Sequence, residues 1–241
     1  HTEFEGEQVG TVFENTTDEG RLELVHQPLL GWNGAIGMQG SQRDFEAIGE
    51  EAFVPAIAPA MVGRGQNRYC ATEEEYVFAI AEALRTEYRA MVDAGLAPQM
   101  DDPGLGETWD MMIPQPPLEE YRHIQARNID ALNHALSGIP EDRVRYHLCW
   151  GSWQGPHVHD LALRDIVDLL LRVRAQTYSV EAATPRHSYE WRVWEDVKLP
   201  EGKILIPGVI AHTTAVVEHP ETIAERIVTF ARAVGRERVI A

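Results

Sequence analysis

The sequence is poor in cysteine, since its 241 residues contain only Cys70 and Cys149. Two thiols cannot build the disulfide framework of a small secreted scaffold, so we expect a reducing, cytoplasmic setting. No apolar run approaches the roughly 18 residues that a membrane span needs. The acidic residues 1–10 also do not resemble a signal peptide. These absences predict a protein without a membrane partner.

Basic residues are also scarce, with 21 Lys and Arg against 38 Asp and Glu and a formal net charge of −17. Binding to nucleic acid or to an anionic membrane needs a basic face, which this composition does not offer. We therefore expect no nucleic-acid partner. A 44% hydrophobic content and this length are enough for one domain over 1–241, of which 1–52 is poorly assignable.

From Phe53 onward, apolar strand-like runs alternate with segments of helical spacing. The spacing predicts strands over 53–61, 96–101, 144–150, 176–181 and 203–210, helices over 71–95, 118–136, 161–175, 187–195 and 220–235, and a strand-like RVIA at 238–241. Such alternation favours a parallel sheet. Because no G-x-G-x-x-G turn is present, we favour an α/β fold of the (β/α)8 TIM-barrel type over a dinucleotide-binding sheet. About six of its eight strands are visible, so we expect the barrel to be incomplete at both ends of the chain.

Polar residues follow four consecutive predicted strands at the point where each ends. They are Asp101 with Asp102, His147 with Cys149, Glu181, and His212. The active site of a barrel lies at the carboxyl ends of its strands. We therefore expect these side chains to meet on one rim.

His147 and Cys149 are spaced i, i+2, which places both side chains on one face of a strand. Imidazole and thiolate suit zinc, and Glu181 on the next strand could supply a third ligand. Two other interpretations stay open. Cys149 could be an inert buried thiol, and Asp101 with Asp102 could cap the following turn.

The segment GPHVHD offers two further histidines, His157 and His159, with metal-like spacing. They follow a Gly-Pro turn and precede a predicted helix, so we expect loop contacts or capping by Asp160 rather than a metal site. Trp150 and the other tryptophans near these strand ends are expected to form walls or core.

The motifs at these strand ends resemble the catalytic barrel of cobalamin-independent methionine synthases. The resemblance runs from about Phe53 to Ala241 and rests on Asp101-Asp102-Pro103, His147-Leu148-Cys149 and Glu181. The longer stretches CWGSWQGPHVHD and VEHPETIAERI resemble the short bacterial members. These members include methionine synthase II-like proteins and epoxyalkane:coenzyme M transferases.

The resemblance implies a zinc-dependent methyl or alkyl transferase that acts on a small thiol, with homocysteine as one acceptor. It assigns Zn²⁺ to His147, Cys149 and Glu181, and it assigns the amino group of the thiol substrate to Asp101. A catalytic histidine falls near His212, one position away from the family pattern. On this assignment Asp101 and His212 are catalytic, and Asp101, Asp102, Glu181 and Trp150 contact the substrate. The partners are then a thiol and a methyl or alkyl donor.

Two family motifs do not occur in this sequence. One is a D-C-G motif with a second zinc cysteine after the strand that matches RVIA, and the other is a G-S-L-P-like motif in the first strand. We therefore expect a chain that continues beyond both ends. Two other functions stay open: metal-free acid/base chemistry, as in a lyase or hydrolase using Asp101 and His212, and non-catalytic binding of a small molecule. A homo-oligomer also stays open.

Overall fold

The computed structural model describes residues 12–16, 21–25, 52–65, 67–152, 156–211 and 213–241. The chain divides into two compact units, His1–Ala52 and Phe53–Ala241. In the first unit, strands β1 (Val12–Thr16) and β2 (Arg21–Val25) pair antiparallel, with Val12 opposite Val25.

The second unit is built on a sheet of five parallel strands that lie in chain order. The strands are β3 (Phe53–Ile57), β4 (Ala97–Asp101), β5 (Arg145–Leu148), β6 (Thr177–Glu181) and β7 (Ile204–Gly208). The helices are α1 (Pro59–Val62), α2 (Glu73–Asp93), α3 (Gly104–Met111), α4 (Leu118–Ala135), α5 (Val167–Leu170), α6 (Val193–Asp196) and α7 (Pro220–Val234). The predicted α/β class with a parallel sheet is confirmed. Within the described residues, five parallel strands in chain order have the arrangement of part of a barrel, which has eight strands when complete.

Helix α2 begins at Glu73, two residues after the start predicted for this segment. The Thr72 side chain caps the helix by accepting a hydrogen bond from the amide of Glu75 at 3.1 Å. The Glu75 carboxylate in turn accepts from the amide of Ala71 at 3.0 Å. Two amides that the first helical turn leaves without partners are satisfied in this way, and Gly95 ends the segment with a φ of 84°.

Several elements differ between the prediction and the structure. The strand predicted over 53–61 ends at Ile57, and Pro59 starts a short helix because its fixed φ suits a first helical position. The sequence pattern also missed α3. The strand-like RVIA contributes one parallel bridge, between Leu205 and Val239.

The helix predicted over 161–175 is mostly absent, since only Val167–Leu170 is α-helical. Its apolar residues are buried on several sides, which removes the one-sided pattern of a surface helix. Asn133 of α4 also takes over backbone groups there. It donates to the carbonyl of Arg172 at 2.9 Å and accepts from the amide of Arg174 at 2.8 Å. Packing against α4 therefore overrides local helix propensity.

One face of the sheet packs against the helices in a single core. Met100, Tyr146, Tyr178 and Leu205 alternate along the strands with the more exposed residues of the opposite face, and they share the core with Tyr88 and Leu132 of the helices. Buried tyrosine hydroxyls fix the strand ends and the loops beyond them. Tyr88 donates to the carbonyl of Ile57 at 2.5 Å, and Tyr121 donates to that of Leu105 at 2.9 Å.

Among the described helices, none combines the length and the hydropathy that crossing a bilayer demands.

Candidate active site at the carboxyl end of the sheet

A single row of paired residues crosses the sheet near its carboxyl end. The register aligns Ile57, Asp101, His147, Ser179 and Ile206 on β3 to β7 in that order. Paired residues on neighbouring strands point to the same face of a sheet. The row therefore places a carboxylate, an imidazole and a hydroxyl next to one another, between two isoleucines.

His147 lies between its two polar neighbours in this row. Its Nδ1 is 3.3 Å from Oγ of Ser179, and its Nε2 is 3.9 Å from Oδ1 of Asp101. Burial raises the pKa of the Asp101 carboxyl, and the charge of His147 partly opposes that increase. Ser179 was not predicted from the sequence, because one serine inside a strand carries no distinguishing signal.

Cys149 and Glu181 lie beyond this row, at the ends of β5 and β6. Leu148 pairs with Val180, so continuation of the register brings Cys149 beside Glu181. The Glu181 side chain is only 8% exposed, and neither carboxylate oxygen has a hydrogen-bond partner among the described residues. Burial is the main cause that raises the pKa of the Cys149 thiol to about 12, and the surrounding carboxylates add to it. Without a cation nearby, this thiol stays protonated.

Asp102 faces the opposite side of the sheet from Asp101. It is 4% exposed, and its Oδ2 accepts a hydrogen bond from the Tyr146 hydroxyl at 2.9 Å. Burial raises the pKa of Asp102 to about 6, although the bond from Tyr146 favours the charged form. The two aspartates that the sequence places together are therefore separated, and the substrate contact expected of Asp102 stays a prediction.

Glu107 of α3 approaches the backbone that follows Cys149. Its Oε2 accepts from Arg64 at 2.8 Å, and its Oε1 lies where a Cβ on Gly151 would approach to 2.3 Å. Gly151 also has a φ of 79°, which side chains with a Cβ rarely adopt. A glycine is thus required at position 151, because only a residue without a Cβ leaves room for the Glu107 carboxylate. The sequence did not predict that this carboxylate lies close to the segment after Cys149.

Trp150 is a core residue at 1% exposure. Its indole N–H donates to the carbonyl of Leu161 at 2.7 Å, and its ring stacks on His187 with centroids 3.8 Å apart. The expectation that this tryptophan fills core is confirmed, while its predicted substrate contact stays a prediction.

The loop after β5 forms the contact expected of it, because Nδ1 of His157 lies 2.9 Å from Oδ1 of Asp160. These two residues and Asp110 also form a group with three potential metal-ligand atoms within 4.8 Å of one another. The ligand atoms of His147, Cys149 and Glu181 are not all within 4.8 Å of one another in the described part of the chain. His159 is exposed, and His212 lies outside the described residues.

The residues at the ends of β5 and β6 nevertheless fit zinc chemically. They offer sulfur, nitrogen and oxygen donors on adjacent strand ends. The buried Glu181 carboxylate has no hydrogen-bond partner in the described chain. Burying such a group is costly unless a cation or a hydrogen-bond donor contacts it. His147, Cys149 and Glu181 are the residues that could hold the ion.

No protein-family model and no curated protein matches the chain. Among solved structures, it is similar to a B12-independent methionine synthase from Shewanella sp. W3-18-1, which was solved in complex with selenomethionine. The TM-score is 0.64 at 16% sequence identity, over 82% of this chain and 56% of that chain. The chain thus spans little more than half the length of that protein. The likeness supports the predicted methionine synthase resemblance at the level of the fold.

Proposed function

We propose that this chain contributes the catalytic barrel of a zinc-dependent methyl or alkyl transferase that acts on a small thiol. The observation that carries the proposal is the Glu181 carboxylate, which is buried without a hydrogen-bond partner in the described chain beside Cys149. A cation at this point would satisfy the carboxylate and stabilise the thiolate of Cys149. We also propose that the complete protein closes this sheet into a (β/α)8 barrel.

Within this proposal, His147, Cys149 and Glu181 hold the ion. Bound zinc supplies a means of deprotonating the acceptor thiol at neutral pH while leaving its sulfur nucleophilic. Ser179 orients the imidazole through its 3.3 Å contact with Nδ1. The half-exposed Asp101 carboxylate beside His147 binds the ammonium group of an amino-acid thiol such as homocysteine.

The reaction is a displacement at carbon. The acceptor sulfur forms a bond to the methyl or alkyl carbon as the bond from that carbon to the donor atom breaks. In the epoxide variant, which takes coenzyme M as the acceptor, the broken bond is a ring C–O bond and the released alkoxide takes a proton. His212 stays a predicted catalytic residue for proton transfer.

Metal analysis tests the zinc assignment. We expect His147→Ala and Cys149→Ser each to lose one zinc per chain relative to the unmodified protein. A double variant, Cys70→Ser with His123→Ala, removes the same two side-chain types elsewhere and should keep its zinc. If both site variants retain the full zinc content, the proposed site is wrong.

The role of Asp101 separates the two acceptor classes. Homocysteine carries an ammonium group for this carboxylate, whereas coenzyme M carries none. We expect Asp101→Asn to raise the KM for homocysteine by about tenfold or more, as for loss of a charged hydrogen bond, and to leave the KM for coenzyme M nearly unchanged. Equal effects on both thiols would contradict this role.

Metal-free acid/base chemistry is the second candidate. It uses Asp101 and His212, and it is favoured by the pKa of Asp101, which burial raises above its ordinary value. Carboxyl groups tuned in this way can serve as general acids or bases. Activity that survives exhaustive chelation would favour this candidate over the zinc transferase.

A further inference from the structure

A second group of potential ligands lies between helix α3 and the loop that follows β5. Asp110 comes from the last turn of α3, and His157 and Asp160 come from the loop. The His157 and Asp160 side chains are 7% and 10% exposed, and Asp110 is half-buried. One imidazole and two carboxylates thus converge in a mostly buried position with ligand atoms within 4.8 Å of one another.

The two oxygens of Asp160 have different partners. Oδ2 accepts from Arg186 at 2.6 Å and lies 3.3 Å from Nε2 of His187. Oδ1 lies 2.9 Å from Nδ1 of His157. A carboxylate that binds a metal through one oxygen is commonly held by hydrogen bonds on the other, so this arrangement provides outer support for a ligand.

The distance between His157 and Asp160 suits a shared coordination sphere. Two ligand atoms at about 2.1 Å from one ion and at a right angle lie about 3.0 Å apart. The observed separation of Nδ1 and Oδ1 is 2.9 Å. Little movement of these two side chains is therefore needed to bind an ion.

The charge balance also favours a cation. Asp110 and Asp160 bring two carboxylates within 4.8 Å, and Arg186 forms an ion pair with Asp160. His187 lies between Asp160 and Glu190 and so has a carboxylate on each ring nitrogen. Repulsion between the two clustered carboxylates is relieved when a positive ion lies between them.

We propose that Asp110, His157 and Asp160 bind a divalent metal ion such as Mn²⁺ or Zn²⁺ at a site separate from the proposed site at His147, Cys149 and Glu181. One nitrogen and two oxygen donors suit these ions, and the absence of sulfur distinguishes the site chemically from the other. The ion joins α3 to the loop after β5.

An ion at this position also fixes the segment that carries Cys149. Asp160 contacts His187, on which Trp150 stacks, and Trp150 also donates to the carbonyl of Leu161. Trp150 follows Cys149 directly in the chain. The site therefore acts as a structural clamp and does not depend on the proposed reaction.

Titration with Mn²⁺, followed by the electron paramagnetic resonance signal of the free ion, tests the site. The parent for this experiment is His147→Ala/Cys149→Ser, which removes ligands of the other site. We expect this parent to bind one Mn²⁺ per chain. Adding Asp110→Asn or His157→Ala should weaken that binding by at least about tenfold, as expected for loss of a ligand.

Asp142→Asn is the matched control, because it makes the same chemical change at an exposed aspartate outside the cluster, and it should bind Mn²⁺ as the parent does. The proposal is overturned if the parent binds no Mn²⁺ at millimolar concentration, or if Asp110→Asn binds as tightly as the control. Circular dichroism shows whether each variant is folded. If His157→Ala misfolds, Asp110→Asn still tests the site, because Asp110 is only half-buried. Failure of the zinc transferase proposal can be distinguished from failure of this one, because it would appear as an unchanged zinc content in His147→Ala and Cys149→Ser.

Discussion

Replacing Asp102 by asparagine should change how the stability of the metal-free protein depends on pH. Burial raises the pKa of this carboxyl from 3.8 to about 6 in the folded chain. The folded protein then holds the proton more tightly than the unfolded chain, so its stability falls as the pH rises through this range. The difference between the two pKa values corresponds to about 3 kcal/mol once the pH lies above both. The amide introduced by Asp102→Asn is neutral at every pH, so this variant does not lose stability as the pH rises through this range.

Urea unfolding of both proteins between pH 5 and pH 8 measures the effect. We expect the free energy of unfolding of Asp102→Asn, relative to the unmodified protein, to increase by about 1–2 kcal/mol over this interval, which is about half of the total. Asp142→Asn, at an exposed position, should show no comparable increase. A difference between Asp102→Asn and the unmodified protein that does not change with pH would refute the reasoning.

Three further predictions follow from single contacts. Gly151→Ala should lower the free energy of unfolding by about 1–3 kcal/mol in urea denaturation, because position 151 has a positive φ and Glu107 approaches it closely. Adding Glu107→Ala to this variant should recover part of the loss, because it removes the close contact. In metal-free Cys70→Ser, the remaining Cys149 should react with iodoacetamide at pH 8 about a hundredfold or more slowly than a free thiol, and a comparable rate would contradict its raised pKa. Asn133→Ala should cost about 1 kcal/mol in thermal or urea unfolding, since it removes two hydrogen bonds to solvent-exposed backbone groups beyond α5, and an unchanged stability would rule out this role.

Much of the fold can be predicted from the sequence where local signals and packing agree. The Thr72 and Glu75 pair marks the start of α2, and the bounds of β4 and β6 follow from short apolar runs. The 161–175 segment shows the opposite case. Its apolar residues fit a helix by spacing, but hydrogen bonds from Asn133 and burial on several sides set its backbone instead. Those contacts come from residues distant in the chain, so no local pattern contains them.

The candidate site was predictable to a similar extent. The strand-end rule located His147, Cys149 and Glu181 because parallel strands bring their carboxyl ends together. It did not separate Asp101 from Asp102, although neighbouring residues at a strand end face opposite sides. Ser179 and Glu107 could not be recognised, since their importance depends on register across strands and on a close approach between distant segments.

The row that crosses the sheet also indicates how this site could diversify. Its acid, imidazole and hydroxyl occupy only the three central strands, and the outer two strands contribute Ile57 and Ile206 at the same level. Substitutions at these two isoleucines would alter the shape and size of the space beside the polar groups without altering the groups themselves. Under the proposed function, substrate preference would change at the edges of the row while the acid, imidazole and hydroxyl at its centre stay the same.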